Sequence, residues 1–327
     1  GAGNEKVRLA NGVDVSFTGL GNTLRVAANG TATLNGKAVG GTTPNPTPPT
    51  PPPPPANWFD ANVTDAALRS LGRTLYADGV LSRTDIISLL RNVQDGSVID
   101  ATEIYDLRKI ASTTVLFGGN DAVRTLFSYV VNGTTANRNS QGQALGNLAI
   151  GSSAAHMEKL VGKWFLGLDR PAATGTYRAI AGTLFVSGTS YTDIRQGAIG
   201  DCYFVASLAE VAHRSANTIV NMFTVNGAGT YTVKFFNQSQ AVYVTVDSFL
   251  PTNSSGQLMY ASRGAMHNNA GNELWVALAE KAYVQLNEFG FTRAGIAGSG
   301  QNSYAAINGG YICSALSHIT GQSTVNF

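Results

Sequence analysis

Nine of the eleven prolines in this 327-residue chain fall between Pro44 and Pro55, the last five in succession. Proline has no backbone N–H and a fixed φ, so such a block enters neither a helix interior nor a central strand. It forms an extended, semi-rigid spacer instead. The chain therefore divides into residues 1–43, a Pro-rich linker over 44–57, and everything from residue 58 onward.

The first piece alternates apolar and polar residues in Val13-Asp14-Val15-Ser16-Phe17 and again in Leu24-Arg25-Val26, with Asn-Gly pairs at 11, 29 and 35. That period predicts short strands joined by tight turns. A sheet of about forty residues seldom buries enough surface to stand alone, so residues 1–43 are expected to be the β-rich end of an upstream domain.

From 58 to 168 the period changes. Leu68, Leu71 and Leu75, then Ile86, Leu89, Leu90 and Val93, then Val123, Leu126, Phe127 and Val130 recur at helical spacing. Several short helices forming a helical domain are predicted. Two Asp-Gly pairs, Asp78-Gly79 and Asp95-Gly96, suggest calcium loops at first sight. Placing Gly79 at the sixth loop position, however, puts Thr74, Tyr76 and Asp85 at positions one, three and twelve, and Gly96 puts Arg91, Val93 and Thr102 there. Too few of these carry the oxygen ligands that such a loop needs, so ordinary helix–turn–helix packing is expected.

Composition excludes several classes. The hydrophobic fraction of 43% can build a sizeable core, while charged residues are only 13% and the net charge is +2. No basic cluster interleaved with aromatics argues for nucleic acid. No run of eighteen apolar residues spans a membrane. Two cysteines make no disulfide framework, and Cys313 in its Ala-rich segment reads as a small buried hydrophobe. A Gly/Ser/Thr/Asn-rich, Lys-poor composition favours an exported or cell-surface setting over the cytoplasm.

The chemistry is concentrated in Gln196-Gly197-Ala198-Ile199-Gly200-Asp201-Cys202. Downstream, Phe204, Val205, Leu208, Val211 and Ala212 follow a helical period with Asp201 as N-cap, so Cys202 falls in the first turn. The positive end of a helix dipole favours a thiolate there. Gly197 and Gly200 are expected to let the backbone turn sharply and to leave room for a substrate. The turn keeps Gln196 near Cys202, where its side-chain NH2 and the Cys202 backbone N–H could donate to the oxyanion formed by thiolate attack on a carbonyl.

The run Asp193-Ile-Arg-Gln-Gly-Ala-Ile-Gly-Asp-Cys-Tyr-Phe-Val-Ala-Ser-Leu-Ala209 resembles the nucleophile segment of the calpain family of cysteine proteases, within the papain-like group. Val242 to Thr252 resembles that family's strand and Leu-Pro-Thr turn, Gly256 to Ser262 its next strand, Asn272 to Tyr283 its second long helix, and Ile319-Thr320-Gly321 the end of its first catalytic subdomain. The match runs from about residue 177 to 327. It implies an α+β architecture: the helix-rich half of a papain-like cysteine protease fold over 169–327, preceded by a helical domain over 58–168 and a short β segment. Within it Thr230–Phe235 and Val242–Asp247 alternate and predict a hairpin.

The resemblance implies a calcium-dependent cysteine endopeptidase acting on protein or peptide substrates, with Cys202 as nucleophile and Gln196 as oxyanion donor. The alternative is an inactive calpain-like protein-binding module. The family's calcium site aligns side-chain ligands with Asp193 and Glu273, both hard oxygen donors. Tyr203 stands where the family usually has Trp, and a different gating of the cleft is expected. The family's His base and orienting Asn lie on a second subdomain, expected downstream of Phe327 as a partner for this one. Of the histidines present, His213 lies eleven residues along the helix from Cys202, roughly 16 Å away, and cannot be the base. His156 and His267 read as surface residues, and His318 as structural.

Overall fold

The computed structural model describes residues 58–96, 98–291 and 300–324, together with the backbone of strand segments within residues 4–39. Two compact units result, Gly1–Pro52 and Pro53–Phe327. The Pro-rich stretch 44–57 lies outside the described residues.

In the first unit, β1 (Asn4–Arg8) pairs antiparallel with β2 (Asp14–Thr18), Asn4 opposite Thr18. A separate antiparallel sheet runs β3 (Leu24–Val26), β4 (Ala32–Leu34), β5 (Lys37–Val39). Asn35, at φ 52°, makes the turn between β4 and β5, as its Asn-Gly pair predicts.

The second unit opens with helices. These are α1 (Trp58–Asn62), α2 (Ala66–Leu75), α3 (Arg83–Asn92), α4 (Ala101–Ser112) and α5 (Asp121–Val131). A short hairpin, β6 (Asn139–Ser140) with β7 (Gln143–Ala144), precedes α6 (Ala154–Trp164). Each longer helix starts at a side chain that accepts its orphan N–H groups: Asp65, Ser82, Asp100, Asn120 and Ser153. Asp85, the twelfth residue of the first would-be calcium loop, is spent in a capping box, its carboxylate accepting the Ser82 N–H at 2.8 Å. Ile86, Leu89, Leu90, Val123, Leu126, Phe127 and Val130 are all buried in one core with Trp164 and Phe165.

The remainder mixes strands and helices: β8 (Thr176–Ala179), α7 (Cys202–Arg214), α8 (Ala216–Val220), β9 (Phe223–Gly227), β10 (Thr230–Asn237), β11 (Gln240–Asp247), β12 (Phe249–Thr252), α9 (Trp275–Leu286) and α10 (Ile312–Thr320). The molecule is α+β. The predicted hairpin is present as β10–β11, closed by the two-residue turn Gln238-Ser239 with φ of 47° and 65°, the primed geometry that suits strand twist. Every residue of α9 is buried, and such a helix is the middle of a core rather than its edge. Tyr283 on α9 stacks on Phe204 of α7 at 3.9 Å, and Phe235 of β10 packs against both. This aromatic cluster fixes the helix that carries Cys202.

Two local expectations are corrected. Leu250-Pro251-Thr252 is a strand, not a turn: β12 pairs with β8 in a two-stranded sheet and carries the isolated Thr252–Leu258 bridge on its other side, an edge setting that tolerates the missing Pro251 N–H. The segment after it, 256–262, is a loop held by isolated bridges, Thr252 to Leu258 and Gln257 to Met266.

The helical and mixed parts of this unit meet through a buried ion cluster. Lys163 of α6, wholly buried, pairs with Asp169 and with Glu288 at 2.7 Å, and donates to the Asn139 carbonyl at 2.8 Å. Tyr129, Trp164 and Phe289 pack around it with ring centroids 4.8–5.7 Å apart.

Candidate active site

The segment leading to Cys202 lies against the loop 259–262. Ala198 donates to the Met259 carbonyl at 3.0 Å, and Ser262 to the Arg195 carbonyl at 2.9 Å. A Cβ on Gly197 would stand 2.1–2.2 Å from the Tyr260 backbone, and one on Gly200 2.4 Å from Asn308 Oδ1, which accepts the Gly200 N–H. Neither glycine has a positive φ. Both are required by close approach of neighbouring protein groups, not by a left-handed turn, and the space expected for substrate is occupied by Tyr260 and Asn308.

Cys202 is the first residue of α7 and its side chain is exposed. Asp201 occupies the N-cap position, but its side chain makes no capping bond. Its backbone carbonyl accepts from Phe204 and Val205, while the carboxyl group turns inward and is fully buried. Gln196 is exposed beside it. Its Nε2 donates to the Ile199 carbonyl at 2.9 Å and to Asp201 Oδ1 at 3.3 Å. Both acceptors face the same end of the amide, which fixes its orientation.

Sequence reasoning missed Glu280. This α9 side chain is wholly buried, accepts the Ala261 N–H at 2.9 Å through Oε2, and lies within reach of the Asp201 charge. Burial first, and then the neighbouring Asp201 charge, push its carboxyl well above the ordinary range; burial also raises Asp201. Only the charged pair Glu280-Lys281 within a largely apolar helical run hinted at it.

Tyr203 is not a gate: its ring is buried and its hydroxyl donates to the Ile307 carbonyl at 3.1 Å. Cys313 is half-buried rather than buried and, like Cys202, lies in the first turn of its helix, α10. Helix position therefore does not separate the two thiols, whereas exposure does. His213 is in the last turn of α7, edge-on to Tyr191. His156 and His267 are half-buried, not surface residues; His156 bridges Ser152 and the Gly146 carbonyl. His318 is buried with its Nδ1 3.0 Å from the Tyr283 hydroxyl.

The two candidate calcium ligands come together. Asp193 Oδ2 accepts from Ser190 N at 2.6 Å and Trp275 Nε1 at 3.1 Å. Glu273 does not lie in the helix as expected; it precedes Leu274, the N-cap of α9, and its Oε1 accepts the Val186 N–H at 2.8 Å. Burial, and next the Asp193 charge, raise the Glu273 carboxyl. Two mutually repelling carboxylates are a donor set that a hard cation would relieve, but among the described residues no group of three or more His, Cys, Asp or Glu could hold a metal.

Residues 169–327 match the model of the calpain family cysteine proteases. The chain is 35% identical over 143 residues to Calpain-A of Drosophila melanogaster, covering 42% of this chain and 15% of that protein. It is 34% identical over 141 residues to mouse Calpain-8 (42% and 17%) and 36% identical over 141 residues to the calpain-type cysteine protease ADL1 of rice (42% and 6%). The matched segment thus spans less than a fifth of each relative's length. Residues 169–327, which carry the exposed cysteine at a helix start beside its glutamine, are thus the part of the chain that matches the calpain family of cysteine proteases.

Proposed function

We propose that this chain carries the nucleophile half of a calcium-dependent cysteine endopeptidase. The observation that carries this reading is the exposed Cys202 thiol on the first turn of α7, with the Gln196 amide pinned on the same turn. Cys202 as thiolate attacks the carbonyl carbon of a peptide bond; the carbonyl electrons move to oxygen, and the Cys202 N–H donates to that oxyanion, joined by Gln196 Nε2 once one of its two N–H groups leaves the Ile199 carbonyl. The amine then leaves as the acyl-enzyme forms, and needs an acid to protonate it. His156, His213 and His318 are engaged elsewhere and His267 lies against Gly256, so the reading assigns the His and Asn of the triad to polypeptide outside these residues. Asp193 and Glu273 would supply two of the oxygens that calcium takes, with carbonyls and water completing the shell. Proteins and peptides are the substrates.

The test is turnover of a fluorogenic peptide, with calcium, by this chain mixed with the segment that follows Gly321 in an intact calpain, compared with Cys202→Ala. Activity that requires Cys202 is expected only in the mixture. No turnover in the mixture, with the thiol intact, would point to a protein-binding module.

A further inference from the structure

Two fully buried acids lie directly behind the nucleophile turn, and neither is ion-paired with any described residue. Of their four carboxyl oxygens, Asp201 Oδ1 accepts from Gln196 Nε2 and Glu280 Oε2 from the Ala261 N–H. The other two, Asp201 Oδ2 and Glu280 Oε1, are buried with no N–H or O–H donor. A buried acceptor without a donor is costly, and two adjacent carboxylates without a cation cannot both stay ionised.

We propose that Asp201 and Glu280 share one proton between Oδ2 and Oε1, and that this pair is the positioning element that fixes the Gln196 amide beside Cys202. One hydrogen satisfies both orphaned oxygens at once. It is assigned to Glu280, in the middle of the wholly buried α9, which leaves Asp201, the acceptor of the Gln196 amide, as the anion. The other titratable group facing the pair is Tyr304, kept neutral by its own burial and stacked on Tyr260 at 3.8 Å. The placement of the proton decides the polarity of Gln196. An anionic Asp201 accepts only the NH2 end of the amide and holds it through one N–H, leaving the other to turn from the Ile199 carbonyl to an oxyanion; a protonated Asp201 would as readily take its oxygen and leave the amide unfixed. Glu280 also grips Ala261, in the loop against which Arg195 and Ala198 are bonded, so α9 holds the nucleophile turn from both sides.

The functional half of this inference rests on the protease reading above; the proton does not. In the full chain with 13C-labelled glutamate at neutral pH, a side-chain carboxyl resonance that is absent in Glu280→Gln is expected in the protonated range, beside that of Glu288. Glutamine reproduces the protonated acid, donating to Asp201 and accepting from Ala261. The Gln196 side-chain amide protons, assigned by their loss in Gln196→Ala, should exchange within about twofold of wild type in Glu280→Gln and about tenfold faster in Glu280→Ala, the scale of one lost charge-assisted hydrogen bond. Binding of a peptide aldehyde to Cys202 should follow the same order. If the alanine variant does not fold, the wild-type carboxyl resonance and the glutamine variant decide. A Glu280 resonance in the ionised range, or a glutamine variant in which Gln196 exchanges as fast as in the alanine variant, overturns the proposal. If wild type forms no aldehyde adduct while the carboxyl resonance is protonated, the shared proton stands and the oxyanion role falls.

Discussion

Gly197→Ala should be the most damaging single-methyl change in the nucleophile turn. The new Cβ would stand 2.1 Å from the Tyr260 carbonyl carbon and 2.2 Å from its Cα, and backbone cannot rotate away as a side chain can. Overpacking of this kind costs roughly 2–3 kcal/mol. Moving the two segments apart also stretches the Ala198–Met259 and Arg195–Ser262 hydrogen bonds, adding about 1 kcal/mol. The lower entropy of the unfolded alanine chain returns roughly 0.5 kcal/mol, for a net loss of about 3 kcal/mol. Gly200→Ala is the control. Its Cβ meets only Asn308 Oδ1, which can swing away at the cost of one hydrogen bond, so about 0–1 kcal/mol is expected. Urea unfolding followed by the fluorescence of buried Trp164 and Trp275 measures both. Equal losses in the two variants would refute the close-approach argument.

Other outcomes follow from the same geometry. Burial raises Glu288 to about 8, with Asp169 adding to this and Lys163 opposing it, so between pH 5 and 8 the folded state keeps a proton that the unfolded chain has released. Stability should fall as pH rises through that window, by up to about 1.4 kcal/mol per unit, and Glu288→Gln should flatten the profile; parallel denaturation profiles for the two proteins would count against it. Millimolar calcium should raise the thermal midpoint of the wild type but not of an Asp193→Ala, Glu273→Ala double variant; a shift retained in the variant places the ion elsewhere. Iodoacetamide should label exposed Cys202 several-fold faster than half-buried Cys313, and peptide mass spectrometry showing equal rates would remove the support for Cys202 as the reactive thiol.

Much of the fold was legible because one period dominated each stretch. The helical leucines and isoleucines between residues 68 and 130 point into one core, and the strict alternation over 230–247 formed a hairpin. Leu250-Pro251-Thr252 was expected to turn on the resemblance alone, and its strand character was hidden because the partner β8 lies some seventy residues earlier in sequence. The nucleophile turn was read from its order of residues, yet the reason for its glycines was not, since Tyr260 and Asn308 approach from distant segments. Glu280 shows the limit most clearly. A glutamate in a helix is normally a solvated residue, and only the complete burial of α9 turns it into a partner for Asp201.

The cluster of Lys163, Asp169 and Glu288 bears on how this protein can be taken apart. The family match starts at residue 169, which invites excision of the catalytic segment at that point. A cut there would strip Lys163 from two buried acids and remove Trp164 from Phe289. It would also uncover Tyr243 of β11, which packs against the helical core. Uncompensated buried charge of this kind destabilises by about 3–5 kcal/mol, a large part of what a domain possesses. The boundary of resemblance is not a seam in the material, and an expression fragment that begins near Trp58 respects the actual joint.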